Sequence, residues 1–120
     1  MKKLIKVKNR LSGKTVATKC LVAESSLQRL VGLLNHERLN EDEGMLLHPC
    51  KQIHTFFMRF PIDAIFLDQQ NTVLAMGEYL PWRFSKWHFK AKKVLELPLG
   101  TCKNKEVQIG DRLEFEPCSN

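Results

Sequence analysis

No apolar run in this sequence approaches the roughly 20 residues that a helix needs to span a bilayer, which excludes a helical membrane anchor within it. CxxC pairs are missing too. The four cysteines, at 20, 50, 102 and 118, lack the spacing of a disulfide framework, so reduced thiols in a cytoplasmic chain are expected, with a Cys102–Cys118 bridge left open. The start, MKKLIKVKNRL, has the positive end of a signal peptide, but Lys6 and Lys8 break its apolar stretch and no small-residue cleavage site follows. No acid precedes Glu24, whereas seven Lys or Arg lie in the first 19 residues. Internal repeats, linkers and low-complexity segments are absent. So are a recognisable catalytic triad and a phosphate loop, and no cofactor is expected.

What is present suits one domain over residues 1–120: 43% hydrophobic and 27% charged residues, with a net charge of +6. A chain of this size buries about two-thirds of its unfolded surface, enough for one core without staples. The positive excess favours polyanions or anionic lipid, although lysines that guard edge strands against aggregation are the plainer explanation.

Period-two alternation marks most of the chain. In KLIKVKN, Ile5 and Val7 oppose Lys6 and Lys8; LSGKT reads as a turn, and TVATKCLVA as the returning strand. Strands are likewise expected in GMLLH, IHTFFM, IDAIFLD, TVLAMGEYL, VLELP and the end of KEVQIGDRLEFEP, with turns at DQQN, PLGT and Gly110–Asp111. One stretch has helical spacing instead. Leu27, Leu30, Val31 and Leu34 predict a helix over about 25–35, with Ser25 or Ser26 as its cap. The expected fold is therefore mainly β (α+β): a small, strongly bent sheet or barrel of six to eight short strands, covered by one helix.

The chemistry-bearing residues concentrate in HPCKQIHTFFMRFPIDAIFLD, residues 48–68. His48, Cys50 and His54 are natural zinc ligands, but their spacing is not that of structural zinc sites, and hydrogen-bonded side chains at a turn are expected instead. Metal is not predicted. Pro61 places Arg59 and Asp63 near one corner, where they form an ion pair or leave the arginine fork facing a carboxylate or phosphate. Arg29, on the expected helix, can join either arrangement. Glu96, in VLEL, shares a face with Val94 by alternation, so a solvent-facing edge is expected; only an apolar setting would fit it for acid–base work.

PWRFSKWHFKAKK holds four aromatics and five Lys or Arg, with no acid between Glu78 and Glu96. Trp82, Arg83, Lys86, Trp87 and Lys90 thus compose a stacking-and-cation pattern suited to single-stranded nucleic acid or a membrane interface. The favoured alternative makes Trp82, Phe84 and Phe89 a plug at the barrel's end, with the lysines in water.

Several of these pieces together resemble domain-of-unknown-function family 192: RLVGLL (29–34), GMLL (44–47), HTFFMRFPIDAIFLD (54–68), AKKVLELPLG (91–100) and VQIGDRLEF (107–115). The central MRFPID is more compact than the longer Phe-Trp-Met-Lys-Asn-Thr form of many relatives. The resemblance implies a β-rich domain with little helix and supplies no activity. It points to Arg29, Gly32, Gly44, Met58, Asp63, Asp68, Glu96, Gly100, Gly110 and Asp111 as motif positions. Of these, Arg29, Met58, Asp63 and Glu96 are the ones it implies could meet at one pocket.

Two functional expectations follow. The first is a non-catalytic binding or accessory module recognising a small anion or partner segment near Arg59, Asp63 and His54. The second is a hydrolase-like enzyme with His54 or Glu96 as general base and Cys50 as the less favoured nucleophile. RNA or membrane binding through residues 82–93 is a third and weaker one.

Overall fold

The structure is a computed structural model that describes residues 3–24 and 39–118. The helix expected over 25–35, and with it Arg29 and Gly32, lies outside the described residues. Seven strands follow in chain order: β1 (Leu4–Asn9), β2 (Thr15–Ala23), β3 (Glu43–Leu47), β4 (Ile62–Leu67), β5 (Val73–Tyr79), β6 (Lys93–Pro98) and β7 (Leu113–Pro117). A single turn of helix, α1 (Thr101–Asn104), follows β6 where only a turn was expected.

The strands form one sheet in the order β5-β4-β6-β3-β2-β1-β7, antiparallel throughout except for the β2–β3 pair. It curls into a half-barrel. Its two edges meet at one end, where Val73 N–H donates to Asp111 O (2.8 Å) and Leu113 N–H to Asn71 O (2.9 Å). Local devices set that curl. Asp68 Oδ1 accepts from the Gln70 and Thr72 amides and shapes the β4–β5 turn. Asp111 Oδ2 accepts from buried Asn9 Nδ2 and from Gln108 N–H, both at 2.8 Å, tying β1 to the approach of β7. Gly110, at φ 94°, lets the chain reverse there.

Alternation sorts the apolar residues onto two sides. Inside the curl lie Ile5, Val7, Val16, Ile65, Leu95 and Leu113, with their neighbours. On the other side Ile62, Ala64, Phe66 and Val94 pack with Ile53, Met58 and Phe60 from outside the strands. Every residue of β4 is therefore buried, and so are the four inner residues of β6. This reverses the expectation for Glu96. Its strand has an apolar layer on each side, and the carboxylate is fully buried rather than solvent-facing.

Candidate functional site

Two crossovers build the second layer. Residues 48–61 carry the chain from β3 to β4, and residues 80–92 carry it from β5 to β6. Both traverse the sheet, since Leu47 lies beside Val94 at the start of β6 whereas Ile62 lies beside Pro98 at its far end, with Tyr79 next to Ile62. IHTFFM is consequently not the strand that its alternation suggested; only His54 makes a bridge, antiparallel, to Phe84. The reason is geometric. A segment crossing the sheet pairs with the other crossover and not with a sheet edge.

The pairing is close. Thr55 N–H donates to Arg83 O (2.8 Å), Trp82 N–H to Thr55 O (2.9 Å), Ser85 N–H to Ile53 O (2.9 Å) and His88 N–H to Lys51 O (2.9 Å). Side chains complete the ladder where it is irregular. Thr55 Oγ1 accepts from Arg83 N–H (2.8 Å) and donates to Leu80 O, and Ser85 Oγ accepts from Ile53 N–H (2.9 Å). Both hydroxyls belong to buried residues, so these bonds satisfy groups that water cannot reach. Lys51 Nζ donates to Phe89 O (2.7 Å) and Ala91 O (2.8 Å), and desolvation, then the Lys92 charge, lowers its pKa.

With Ile53, Thr55 and Ser85 directed at the sheet, the residues between them face outward. Phe57, Trp82, Phe84, Trp87 and Phe89 are 61%, 55%, 65%, 63% and 81% exposed, and Leu80 is 56% exposed. The expected plug is thus overturned: Trp82, Phe84 and Phe89 stand in water because the inner side of the crossovers is already filled by smaller residues. Phe57 and Trp82 both have left-handed backbones, φ 67° and 63°, and their rings meet at 4.8 Å. Phe56 stacks on Trp82 at 5.7 Å and abuts Phe84 at 4.6 Å. Arg59, Arg83, Lys86, Lys90 and Lys92 are exposed on the same two segments. His88 is different. Its ring lies 4.1 Å from that of Phe66, and desolvation, then Lys86, lowers its pKa, which keeps it largely neutral at pH 7.

Of the candidate ligand-binding residues, the five that are described, His54, Met58, Arg59, Asp63 and Glu96, are divided. Asp63 is buried on the side of Ile65 and Leu67, where Oδ2 accepts from Cys102 N–H (2.9 Å). Asp63 therefore steadies α1, and no Arg59–Asp63 ion pair forms. Oδ1 has no conventional donor, but the Cys102 thiol lies against this carboxylate; desolvation, then the Asp63 charge and hydrogen bond, push that thiol up to about 12. Glu96, opposite Ala64 and Met45, projects to the other side of the sheet, which Met58 also occupies. A single pocket holding both Asp63 and Glu96 is excluded by the pleat. Arg59 and His54 are exposed, and His54 Nδ1 accepts from Phe56 N–H (3.3 Å).

Among the described residues no three of His, Cys, Asp and Glu gather as a metal shell would require. The Cys102–Cys118 bridge left open by spacing does not form: none of the four cysteines is in a disulfide. Cys50 Sγ donates to Gln52 O (3.1 Å). Sequence reasoning missed Thr55 and Ser85, the hydroxyls that hold the outward surface. Their signal was a small polar residue on the inward phase of each segment.

A family model described as an uncharacterized ACR, domain-of-unknown-function family 192, matches residues 7–115. A UPF0127 protein of Thermococcus sibiricus is 31% identical over 113 residues, 90% of this chain and 73% of the relative. Another, from Pyrococcus furiosus, is 30% identical over 114 residues, 89% of this chain and 95% of the relative. The crystal structure of a Sinorhizobium meliloti protein, described as a candidate transcription regulator, superposes with a TM-score of 0.77 at 26% identity, covering 96% of this chain and 94% of that one. A Novosphingobium aromaticivorans protein of unknown function gives the same TM-score at 21% identity, over 94% of this chain and 84% of its own, a likeness of fold alone.

Proposed function

Because the chain belongs to this uncharacterised family, in which no activity is assigned, we propose its role from the surface itself: a non-catalytic binding module that recognises an anionic partner through the paired crossovers, residues 48–61 and 80–92. One observation carries this reading. Large aromatics stand in water on a frame of two mutually hydrogen-bonded crossovers, interleaved with Arg83, Lys86 and Lys90, although a folding chain gains by burying such rings. The contact surface includes Arg59 and His54 from the MRFPID corner, but not Asp63 or Glu96. The Sinorhizobium protein's description as a regulator is compatible with an anionic partner. Cytoplasmic placement, expected from the unpatterned cysteines, belongs to the same proposal. Among the described residues no helix is long and apolar enough to cross a membrane.

The hydrolase alternative finds less support. Glu96 is fully buried on the covered face of the sheet, whereas His54 stands exposed on the outer side of the crossovers. A general base needs hydrogen-bond reach to a bound substrate, and Glu96 has no solvent access.

Retention on a heparin column tests the module. The parent chain is expected to bind at low salt and elute as salt rises. Reversing two charges, Arg83→Glu with Lys86→Glu, should weaken binding about tenfold or more, since each contact near a surface is worth on the order of 1 kcal/mol. A parent chain that passes unretained at low salt would overturn the proposal.

A further inference from the structure

We propose that the anionic partner is a lipid bilayer surface, into which the crossover tips insert their aromatic side chains while the cations meet the headgroups. This rests on the binding-module reading and goes beyond it in naming the partner.

Four observations favour lipid over single-stranded nucleic acid, the other anion with which aromatics associate. First, the rings turn toward one another. Phe56, Phe57, Trp82 and Phe84 meet at centroid distances of 4.6 to 5.7 Å, with Phe56 stacked on Trp82 and the other pairs edge-on or tilted, so this cluster offers fewer open faces on which bases would stack. Second, Leu80 is exposed beside them, and an aliphatic side chain adds nothing to base stacking but partitions into an acyl boundary. Third, the crossovers pair part of their backbone with each other, at Lys51, Ile53, Thr55, Arg83, Ser85 and His88. Backbone groups held this way carry a smaller desolvation cost on approaching a region poor in water, and the Thr55, Ser85 and Lys51 bonds supply that for the paired stretch. Fourth, two tryptophans accompany lysine and arginine with no acid between Glu78 and Glu96. Tryptophan and lysine are the side chains that settle at the interface, one by its amphipathic ring and the other by reaching its ammonium outward.

The charge matters as much as the rings. Exposed Arg83, Lys86, Lys90 and Lys92 lie on the segment that carries Trp82, Trp87 and Phe89, so insertion brings them to headgroup level. An anionic leaflet gains attraction from each; a zwitterionic leaflet does not. The surface is thus expected to discriminate by lipid charge.

The test uses the full chain and its intrinsic fluorescence. Trp82 and Trp87 are the only tryptophans, so the emission reports this surface alone. Vesicles of phosphatidylcholine with phosphatidylglycerol are expected to shift the emission to shorter wavelength and to sediment the protein, while phosphatidylcholine alone does neither. Phe57→Ala with Phe89→Ala, both exposed positions, should weaken sedimentation about tenfold or more and leave the folded circular dichroism spectrum unchanged. Lys86→Glu with Lys90→Glu, which keeps every ring, should weaken it comparably and abolish the difference between the two lipids. A chain that ignores both vesicles but binds a polyuridine oligonucleotide would overturn the lipid assignment and leave the binding module standing. Equal binding to charged and neutral vesicles would also overturn it. Retention on neither vesicles, oligonucleotide nor heparin would remove both proposals.

Discussion

At Phe57 and Trp82 a large side chain sits on a left-handed backbone, a conformation that costs a non-glycine residue about 1–2 kcal/mol. Neither ring repays this by burial, since both are more than half exposed. Phe57→Gly should therefore be more stable than Phe57→Ala by about 1 kcal/mol in urea unfolding, because only glycine adopts φ 67° freely. The reverse order would show that the turn has another shape. The acids that match the family motif tell the opposite story. Asp63 holds the Cys102 amide, Asp68 shapes a hairpin and Asp111 ties β1 to the approach of β7, so each gives one carboxylate oxygen to backbone or buried amide donors. Among the described residues, these motif carboxylates are explained by folding and not by a ligand.

The paired crossovers behave as one element because two buried hydroxyls stand in for ladder bonds that the backbone cannot make. Removing one should loosen the pair without emptying the core. Thr55→Val keeps the side chain's size but leaves Arg83 N–H and Leu80 O without that partner, a change expected to cost about 1–3 kcal/mol by thermal or chemical unfolding. The same variant should show faster amide exchange at Arg83 than at β4 amides. A variant as stable as its parent would mean that solvent reaches these groups. The strand β6 shows why single-element reasoning about Glu96 failed. VLEL alternates correctly, yet alternation states only which residues share a face, and both faces here are covered. Close approach at β3 has the same origin. A Cβ on Gly44 would stand 3.0 Å from Glu96 O and 3.0 Å from Leu97 Cδ2, so the glycine lets β3 lie tightly along β6.

For the molecule as a whole, the curl encloses a thiol whose ionisation opposes folding. Desolvation, then the charges of Cys118 and Glu96, push Cys20 from 9.0 up to about 12. A thiol held protonated in the fold binds more protons than in the unfolded chain once pH exceeds about 9, so stability falls as pH rises from 9 toward 12. This one group contributes up to about 1.4 kcal/mol per pH unit in that window, and Cys102 acts in the same direction. Urea midpoints of the parent should therefore drop between pH 8 and pH 10.5 more steeply than those of Cys20→Ala, and parallel lines would sink the assignment. The sequence by itself determined the sheet's strands, the hairpin at Asp68 and the reversal at Gly110, because alternation and turn chemistry act among neighbours along the chain. It also marked the aromatic and basic stretch. Only the tertiary structure decided that Asp63 and Glu96 part to opposite sides, that IHTFFM pairs with a crossover instead of the sheet, and that Trp82, Phe84 and Phe89 meet water. Those outcomes depend on which distant segment covers each face, and residues more than twenty positions apart settle that through packing.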